Sequence, residues 1–280
     1  MIKTVSAILM FGLLPSLATA RSETPGAPDR PEEMAYGSAP LQRIDFWRGS
    51  KGGPLLVFLH GGGWSGGDKA DELASPKVKH FRARGFALAT VNYRLVPDVP
   101  VADQVQDAAD AVGYLVAHGD MLGIAPRKIV LMGHSSGAHL AALLGTDPTF
   151  LQKAGVNISA ISGVILIDGA GLAQNVHAAP RPGGPFGSEE NRQRLAPINH
   201  VAPPNARSFL MLNARSEDLR QQATTLSSAL IENGTRASTH SIADTDHIAL
   251  NRNLGSEGDE ATGLIDAYLA AISRSSGPKE

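Results

Sequence analysis

The chain has 280 residues, of which 42% are hydrophobic and 19% charged, a balance typical of a globular protein and not of a disordered one. The formal net charge of -2 at pH 7 provides no electrostatic basis for binding nucleic acid or an anionic membrane surface. The sequence contains no cysteine, which excludes both a disulfide framework and a lipid-modified cysteine.

Residues 1–20 have the pattern of a secretory signal peptide. Lys3 provides a positive start, an apolar run follows from Val5 to Leu14, and a small-x-small cleavage site ends at Ala20. The apolar run is well short of the roughly 20 residues needed to span a bilayer, which disfavours a stable membrane anchor. We therefore predict cleavage after Ala20 and a periplasmic or secreted protein.

Strand and helix patterns alternate after a proline-rich, charged stretch at 21–40, which predicts a flexible leader. Residues 41–47 alternate apolar and polar side chains like an edge strand, and five short apolar runs predict strands buried on both faces, at 55–59, 87–91, 129–132, 164–167 and 209–212. Apolar residues recur at helical spacing in the segments 105–116, 138–144, 219–232 and 260–273. This order predicts an α/β domain over 41–274, with a mainly parallel sheet between helices. Residues 169–207 are rich in proline and glycine and predict a small cap over the carboxyl edge of the sheet.

Two segments match the pattern G-x-S-x-G, and their contexts differ. Residues 133–137 (GHSSG) follow a buried strand and open a helix that starts with small residues, as a nucleophile at a strand–helix turn requires. Residues 63–67 (GWSGG) follow three glycines and lead into a charged segment without a helical stripe. We therefore predict Ser135 as the nucleophile and Ser65 as a turn residue.

The glycine run His60-Gly61-Gly62-Gly63-Trp64 comes directly after a predicted strand. Backbone N–H groups of such a turn can stabilise the negative charge that forms on a carbonyl oxygen during acyl transfer, and Ser136 supplies a further N–H. The same run also fits the dinucleotide pattern G-x-G-x-x-G. That pattern requires an acidic residue after the next strand, which ends instead in 92–94 (NYR). We predict no cofactor.

Three motifs carry a resemblance to a known family. HGGGW at 60–64, VNYRL at 91–95 and GHSSGAHLAAL at 133–143 resemble the hormone-sensitive-lipase-like and BD-FAE-like esterase branch of the α/β-hydrolases, to which kynurenine formamidases are related. The resemblance extends over about residues 41–272 and implies the α/β-hydrolase fold with a chain order of Ser, then Asp or Glu, then His. It also implies an oxyanion hole formed by Gly62, Gly63 and Ser136, with the N–H of Gly61 or Trp64 as alternatives.

The resemblance guides the choice of the remaining catalytic residues. His240 lies in an alternating segment that predicts a strand, whereas His247 lies in a loop, as the catalytic histidine of the family does. The acid is expected just after the strand at 209–212, where the family pattern favours Asp218 and Glu217 remains the alternative.

We therefore predict a carboxylesterase acting on a small-molecule ester. The expected substrates are short to medium acyl esters or carbohydrate-linked acetyl and feruloyl esters, with Trp64 and His134 at the substrate. No metal is predicted, since the sequence has neither H-E-x-x-H nor a carboxylate cluster. The alternatives are an arylformamidase, a non-catalytic binding protein of the same fold and, least favoured, a dinucleotide-dependent oxidoreductase. The sequence does not indicate an oligomeric state.

Overall fold

The computed structural model describes residues 30–73, 75–173 and 184–274. The predicted signal peptide at 1–20 lies outside the described residues, so cleavage and export remain predictions. Among the described residues, no helix has both the length and the apolar character needed to cross a membrane.

An eight-stranded sheet in the order β1-β2-β4-β3-β5-β6-β7-β8 forms the centre of the molecule. β2 is antiparallel to both β1 and β4, and the remaining neighbours are parallel. All five predicted apolar runs lie within strands, because side chains on both faces of these strands are buried. The strand bounds are Glu32–Ala35, Arg43–Trp47, Gly53–Leu59, Ala87–Val91, Ile124–His134, Ile161–Ile167, Ser208–Asn213 and Arg236–Ser241 for β1 to β8.

Helices cover both faces of the sheet, as predicted. In β3, Leu55 and Val57 face a core that α2, α4 and α7 complete, whereas Leu56 and Phe58 face a second core that α1 and α9 complete. The helix bounds are Pro76–Ala83, Val101–Ala117, Gly119–Leu122, Ser136–Thr146, Pro148–Lys153, Glu189–Arg194, Glu217–Glu232, His247–Arg252 and Glu260–Arg274 for α1 to α9. Short 3-10 helices lie at Lys69–Glu72, Ile158–Ala160 and Pro197–His200.

The structure differs from the sequence prediction at the start of the domain. Glu32–Ala35, within the predicted flexible leader, forms the edge strand β1 and pairs with β2, which is therefore the second strand of the sheet. β1 is also held by an ion pair, because Lys69 Nζ lies 2.9 Å from Glu33 and 2.7 Å from Asp45 on β2. The ordered domain therefore begins before residue 41.

The described parts of the predicted cap region, 169–173 and 184–207, contain α6 and the short 3-10 helix Pro197–His200. This region packs on α4 through buried side chains such as Leu172 and Leu195. It therefore lies beside the helix that follows the predicted nucleophile.

Candidate active site

Ser135 lies at a sharp turn between the end of β5 and the start of α4. Its backbone has φ 55° and ψ -118°, a conformation that L-residues rarely adopt. The Ser135 N–H donates to Ile167 O at 3.0 Å, and the Ser135 carbonyl accepts from Ala138 N–H in the first turn of α4. The turn exposes part of the Ser135 side chain in a cavity, as the strand–turn–helix context predicts.

The two glycines of this turn are required because backbone passes close to both. A Cβ on Gly133 would lie 2.2 Å from Gly137 O, and a Cβ on Gly137 would lie 2.2 Å from Leu59 O. Both distances are far below van der Waals contact with rigid backbone. The structure therefore requires glycine at both glycine positions of the G-x-S-x-G match at 133–137.

His247 is the first residue of α8 and pairs with a carboxylate. Its Nδ1–H donates to Asp168 Oδ2 at 2.7 Å. Asp168 follows strand β6 directly and is completely buried. Its second carboxylate oxygen accepts from Ala214 N–H at 3.1 Å, so both oxygens are occupied and the histidine ring is held in one orientation.

This pairing differs from the predicted one, in which Asp218 or Glu217 holds the histidine. Asp218 lies exposed in the first turn of α7 and accepts from Gln222 at 2.8 Å, whereas Glu217 pairs with Arg220. Ser216 caps α7, so both carboxylates lie at a helix N-terminus, where the helix dipole stabilises negative charge. The structure therefore brings neither of them to His247.

Asp168 carries a weak sequence signal. It is an acidic residue at the carboxyl end of a buried strand, directly before Gly169. β6 and β7 are parallel neighbours, so the residues that follow them lie side by side at the same edge of the sheet. The carboxylate that contacts His247 therefore follows β6, whereas the family pattern places it after β7.

The glycine loop after β3 approaches the nucleophile closely. A Cβ on Gly61 would lie 3.1 Å from Ser135 Cβ, and Gly62 and Gly63 have φ values of 133° and 61°. Within the described residues, the N–H groups of Gly62 and Gly63 donate no hydrogen bond. The N–H of Ser136 lies in the first turn of α4, where no intrahelical acceptor exists. These three donors are therefore available to a ligand.

His134 and Trp64, both predicted at the substrate, have different surroundings. His134 lines the cavity, and its Nε2–H donates to the backbone carbonyl of His247 at 2.9 Å. Burial, followed by the nearby His247, lowers the pKa of His134 to about 4. Trp64 is not among the residues that line this cavity, and its ring packs against Phe186 at a centroid distance of 5.0 Å.

The cavity has a volume of about 640 Å³ and contains both Ser135 and His247. Its lining includes Asp71 from the 3-10 helix, Lys77 from α1 and Asn251 from α8, but most of the lining surface is apolar. Within the described residues, no hydrogen bond joins the Ser135 hydroxyl to His247. Long catalytic contacts of this kind are common in sites without a substrate. Among the described side chains, no group of three or more His, Asp or Glu is arranged to hold a metal ion.

Comparison with known proteins gives matches to esterases. Residues 47–179 match the BD-FAE family model. The chain is 32% identical over 129 residues to the probable isoprenylcysteine alpha-carbonyl methylesterase ICME of Oryza sativa subsp. japonica, covering 45% of this chain and 31% of the relative. It is 30% identical over 124 residues to esterase LipC of Mycobacterium tuberculosis, covering 42% and 30%. The chain therefore spans about a third of the length of these curated relatives.

Among solved structures, the apo form of Thermogutta terrifontis esterase 2 superposes with a TM-score of 0.72 at 22% identity, covering 89% of this chain and 97% of that chain. A likeness that covers nearly the whole of both chains confirms the predicted fold.

Proposed function

We propose that this chain, which has the α/β-hydrolase fold and matches the BD-FAE family model over residues 47–179, is a serine esterase that hydrolyses carboxylic esters. The proposal rests on the 2.7 Å contact between buried Asp168 and His247. His247 lines a cavity together with Ser135, which lies at a strained turn. A nucleophile, a base and an acid that orients the base are the components of acyl transfer by a serine hydroxyl.

The catalytic roles follow from the hydrogen bonds. Because Nδ1–H of His247 donates to Asp168, the other ring nitrogen, Nε2, carries the free lone pair. This nitrogen takes the Ser135 proton as the hydroxyl attacks the ester carbonyl, and Asp168 stabilises the resulting imidazolium. His247 then protonates the leaving alkoxide, and a water molecule activated by the same imidazole hydrolyses the acyl-enzyme.

The oxyanion that forms during attack needs donors that are oriented in advance. We assign this role to the N–H groups of Gly62, Gly63 and Ser136, because they donate no hydrogen bond within the described residues. The two glycines line the same cavity as Ser135, and Ser136 follows it in the chain. Removing one donor from such a site typically lowers kcat by roughly 10²- to 10³-fold.

The same observations argue against a non-catalytic binding protein. A non-glycine residue held at positive φ, as Ser135 is, costs on the order of 1–3 kcal/mol. A protein that only binds ligands has no use for this strain or for a buried carboxylate beside a histidine. Both features have a purpose in a hydrolase.

For the substrate we propose short to medium acyl esters, including acetyl or feruloyl groups on carbohydrate. Asn251 and exposed Arg252 line the cavity and offer hydrogen-bond donors to the alcohol portion of such an ester. The similar proteins in rice and Mycobacterium tuberculosis are both named as esterases.

Hydrolysis of p-nitrophenyl acetate, butyrate and octanoate by the wild type and by Ser135→Ala tests this function. We expect the variant to lose activity by several orders of magnitude, since the nucleophile is removed. Ser65→Ala is the matched control, because Ser65 occupies the other G-x-S-x-G match, and it should retain most of the rate. An inactive wild type, or equal activity in Ser135→Ala, would contradict the proposal.

A further inference from the structure

His139 is a completely buried histidine that takes no part in the catalytic steps above. It lies on α4, one helical turn after Ser135. Its Nδ1 accepts from the indole N–H of Trp64 at 3.3 Å, and its Nε2–H donates to the backbone carbonyl of Leu195 at 2.7 Å. An indole nitrogen only donates and a carbonyl only accepts, so these two partners fix one neutral tautomer. Burial lowers the pKa of His139 to about 4, which keeps the ring neutral at physiological pH.

Trp64 is the last residue of the glycine loop and has an unusual backbone conformation. Its φ is 62°, which is uncommon for a bulky side chain. Such strain persists only where the surrounding structure holds it. The Trp64 carbonyl accepts from Gln104 Nε2 at 2.7 Å and from Val96 N–H at 3.0 Å, and the indole is held by His139.

Gln104, which donates to the Trp64 carbonyl, has one polar atom without a partner within the described residues. Gln104 is completely buried, and its Oε1 has no hydrogen-bond partner within the described residues. An unsatisfied buried acceptor costs about 1–3 kcal/mol. Gln104 therefore satisfies the Trp64 carbonyl while its own acceptor lacks a partner within the described residues.

The other partner of His139 belongs to the segment 184–200, which we call the cap segment. Leu195 receives the His139 hydrogen bond, and Phe186 packs against both the Trp64 ring at 5.0 Å and the His139 ring at 5.5 Å. One imidazole therefore contacts the nucleophile helix, the glycine loop and the cap segment.

We propose that His139 is a positioning residue that ties the oxyanion loop (residues 60–64) to the cap segment through Trp64. The inference rests on the proposed function, since it concerns the N–H groups of Gly62 and Gly63 assigned to the oxyanion. Loss of the tie releases Trp64 from its strained conformation and turns these donors away from the reacting carbonyl. The oxyanion exists only during the reaction, so the effect falls on kcat and leaves KM nearly unchanged.

The test compares His139→Leu, Trp64→Phe and the double variant in ester hydrolysis. We expect each single variant to lower kcat roughly tenfold or more. This loss is smaller than the one caused by removing an oxyanion donor outright, because the donors are displaced but still present. The double variant should be no worse than the single ones, because both remove the same contact. His139→Gln, which keeps an acceptor and a donor, should restore part of kcat. Additive losses, or losses confined to KM, would overturn the proposal.

Two further measurements separate positioning from simple destabilisation and from failure of the proposed function. Val112→Ala, a buried α2 residue of the same core, should lower stability while kcat stays near wild type. In a Trp47→Phe background Trp64 is the only tryptophan, so its fluorescence emission monitors the contact with His139 without any substrate. Emission unchanged by His139→Leu would overturn the inference even if Ser135-dependent hydrolysis is found. A shifted emission in a protein without esterase activity would support the tie and reject the proposed function.

Discussion

The carboxylate of Asp168 is fixed before any substrate arrives. Its backbone has φ 45°, and its N–H donates to Leu212 O at 2.7 Å on the neighbouring strand β7. Its side chain accepts from Ala214 N–H and from His247, so neither oxygen is free to rotate. Fixed dipoles and charges of this kind stabilise a developing imidazolium without reorganisation during the reaction.

Replacing Asp168 with Asn therefore removes the acceptor for Nδ1–H while keeping the size of the side chain. The imidazole loses the tautomer that acts as base toward Ser135, and we expect kcat to fall roughly 10⁴-fold, the scale seen in serine proteases for the equivalent change. Steady-state kinetics on p-nitrophenyl butyrate would measure the loss, with circular dichroism to verify folding.

Asp218→Asn is the matched control, since Asp218 lies exposed on α7 and contacts Gln222. This variant should keep nearly the full kcat of the wild type. The reverse result, with activity lost in Asp218→Asn and kept in Asp168→Asn, would show that Asp218 is the catalytic acid, as the sequence predicts.

Single residues of the site were predictable where they lie within a continuous motif. Ser135 and the glycine loop each follow a buried strand, and their neighbours in sequence define their chemistry. Asp168 has no such motif, because its role depends on which strand end lies beside α8 in three dimensions. The contact joins residues 79 positions apart, a distance that local patterns do not report.

At the scale of elements, helix α8 is held at its far end by a buried ion pair. Lys77 Nζ on α1 lies 2.8 Å from Glu72 Oε2 and donates to Asn251 O, at the end of α8, also at 2.8 Å. Both charged side chains are nearly inaccessible to solvent, and burial lowers the pKa of Lys77. Because α8 begins with His247, this anchor also constrains the position of the proposed base.

Replacing one member of this ion pair should destabilise the protein more than replacing both members. Lys77→Met leaves Glu72 as an uncompensated buried charge, which we expect to cost roughly 3–5 kcal/mol of unfolding free energy. The double variant Lys77→Met with Glu72→Gln should recover most of that loss, as measured by urea unfolding. In both variants kcat should fall, because α8 loses its contact with α1. Equal stability of the single and double variants would contradict this account.

The elements themselves were predictable to different degrees. Strands such as β4 and β6 are continuous apolar runs because both of their faces are buried, so the sequence predicts them directly. The sequence did not predict β1, because half of its residues are polar and most are exposed. It forms a strand through its pairing with β2. The short helix α8 is defined by its cap, Asp246, and not by an apolar stripe.

At the scale of the whole molecule, buried histidines lie around the turn that carries Ser135. His60, His134 and His139 are all less than a tenth exposed, and burial lowers the pKa of each below its usual value. For His134 and His139 the pKa falls to about 4. Protonating any of them places a charge in a medium that solvates it poorly. The fold therefore depends on these rings remaining neutral.

This dependence predicts a loss of stability in mild acid. In the unfolded chain these histidines protonate near pH 6.5, so between pH 6.5 and 4 the unfolded state binds more protons than the native state. Above pH 6.5 these histidines do not change the free energy of unfolding with pH. As the pH falls from 6.5 towards 4, each of them lowers the free energy of unfolding. At pH 5 the loss amounts to about 2 kcal/mol for each histidine with a pKa near 4.

Urea unfolding at steps from pH 7 to pH 5 would measure this decline before most carboxylates titrate. His139→Leu, which has no proton to gain, should show a shallower dependence of stability on pH than the wild type. Val112→Ala should be less stable at every pH with the slope unchanged, since it removes only apolar contacts from the same core. A wild-type stability that stays constant from pH 7 to pH 5 would mean that the buried rings protonate as freely as in the unfolded chain, against the burial that surrounds them.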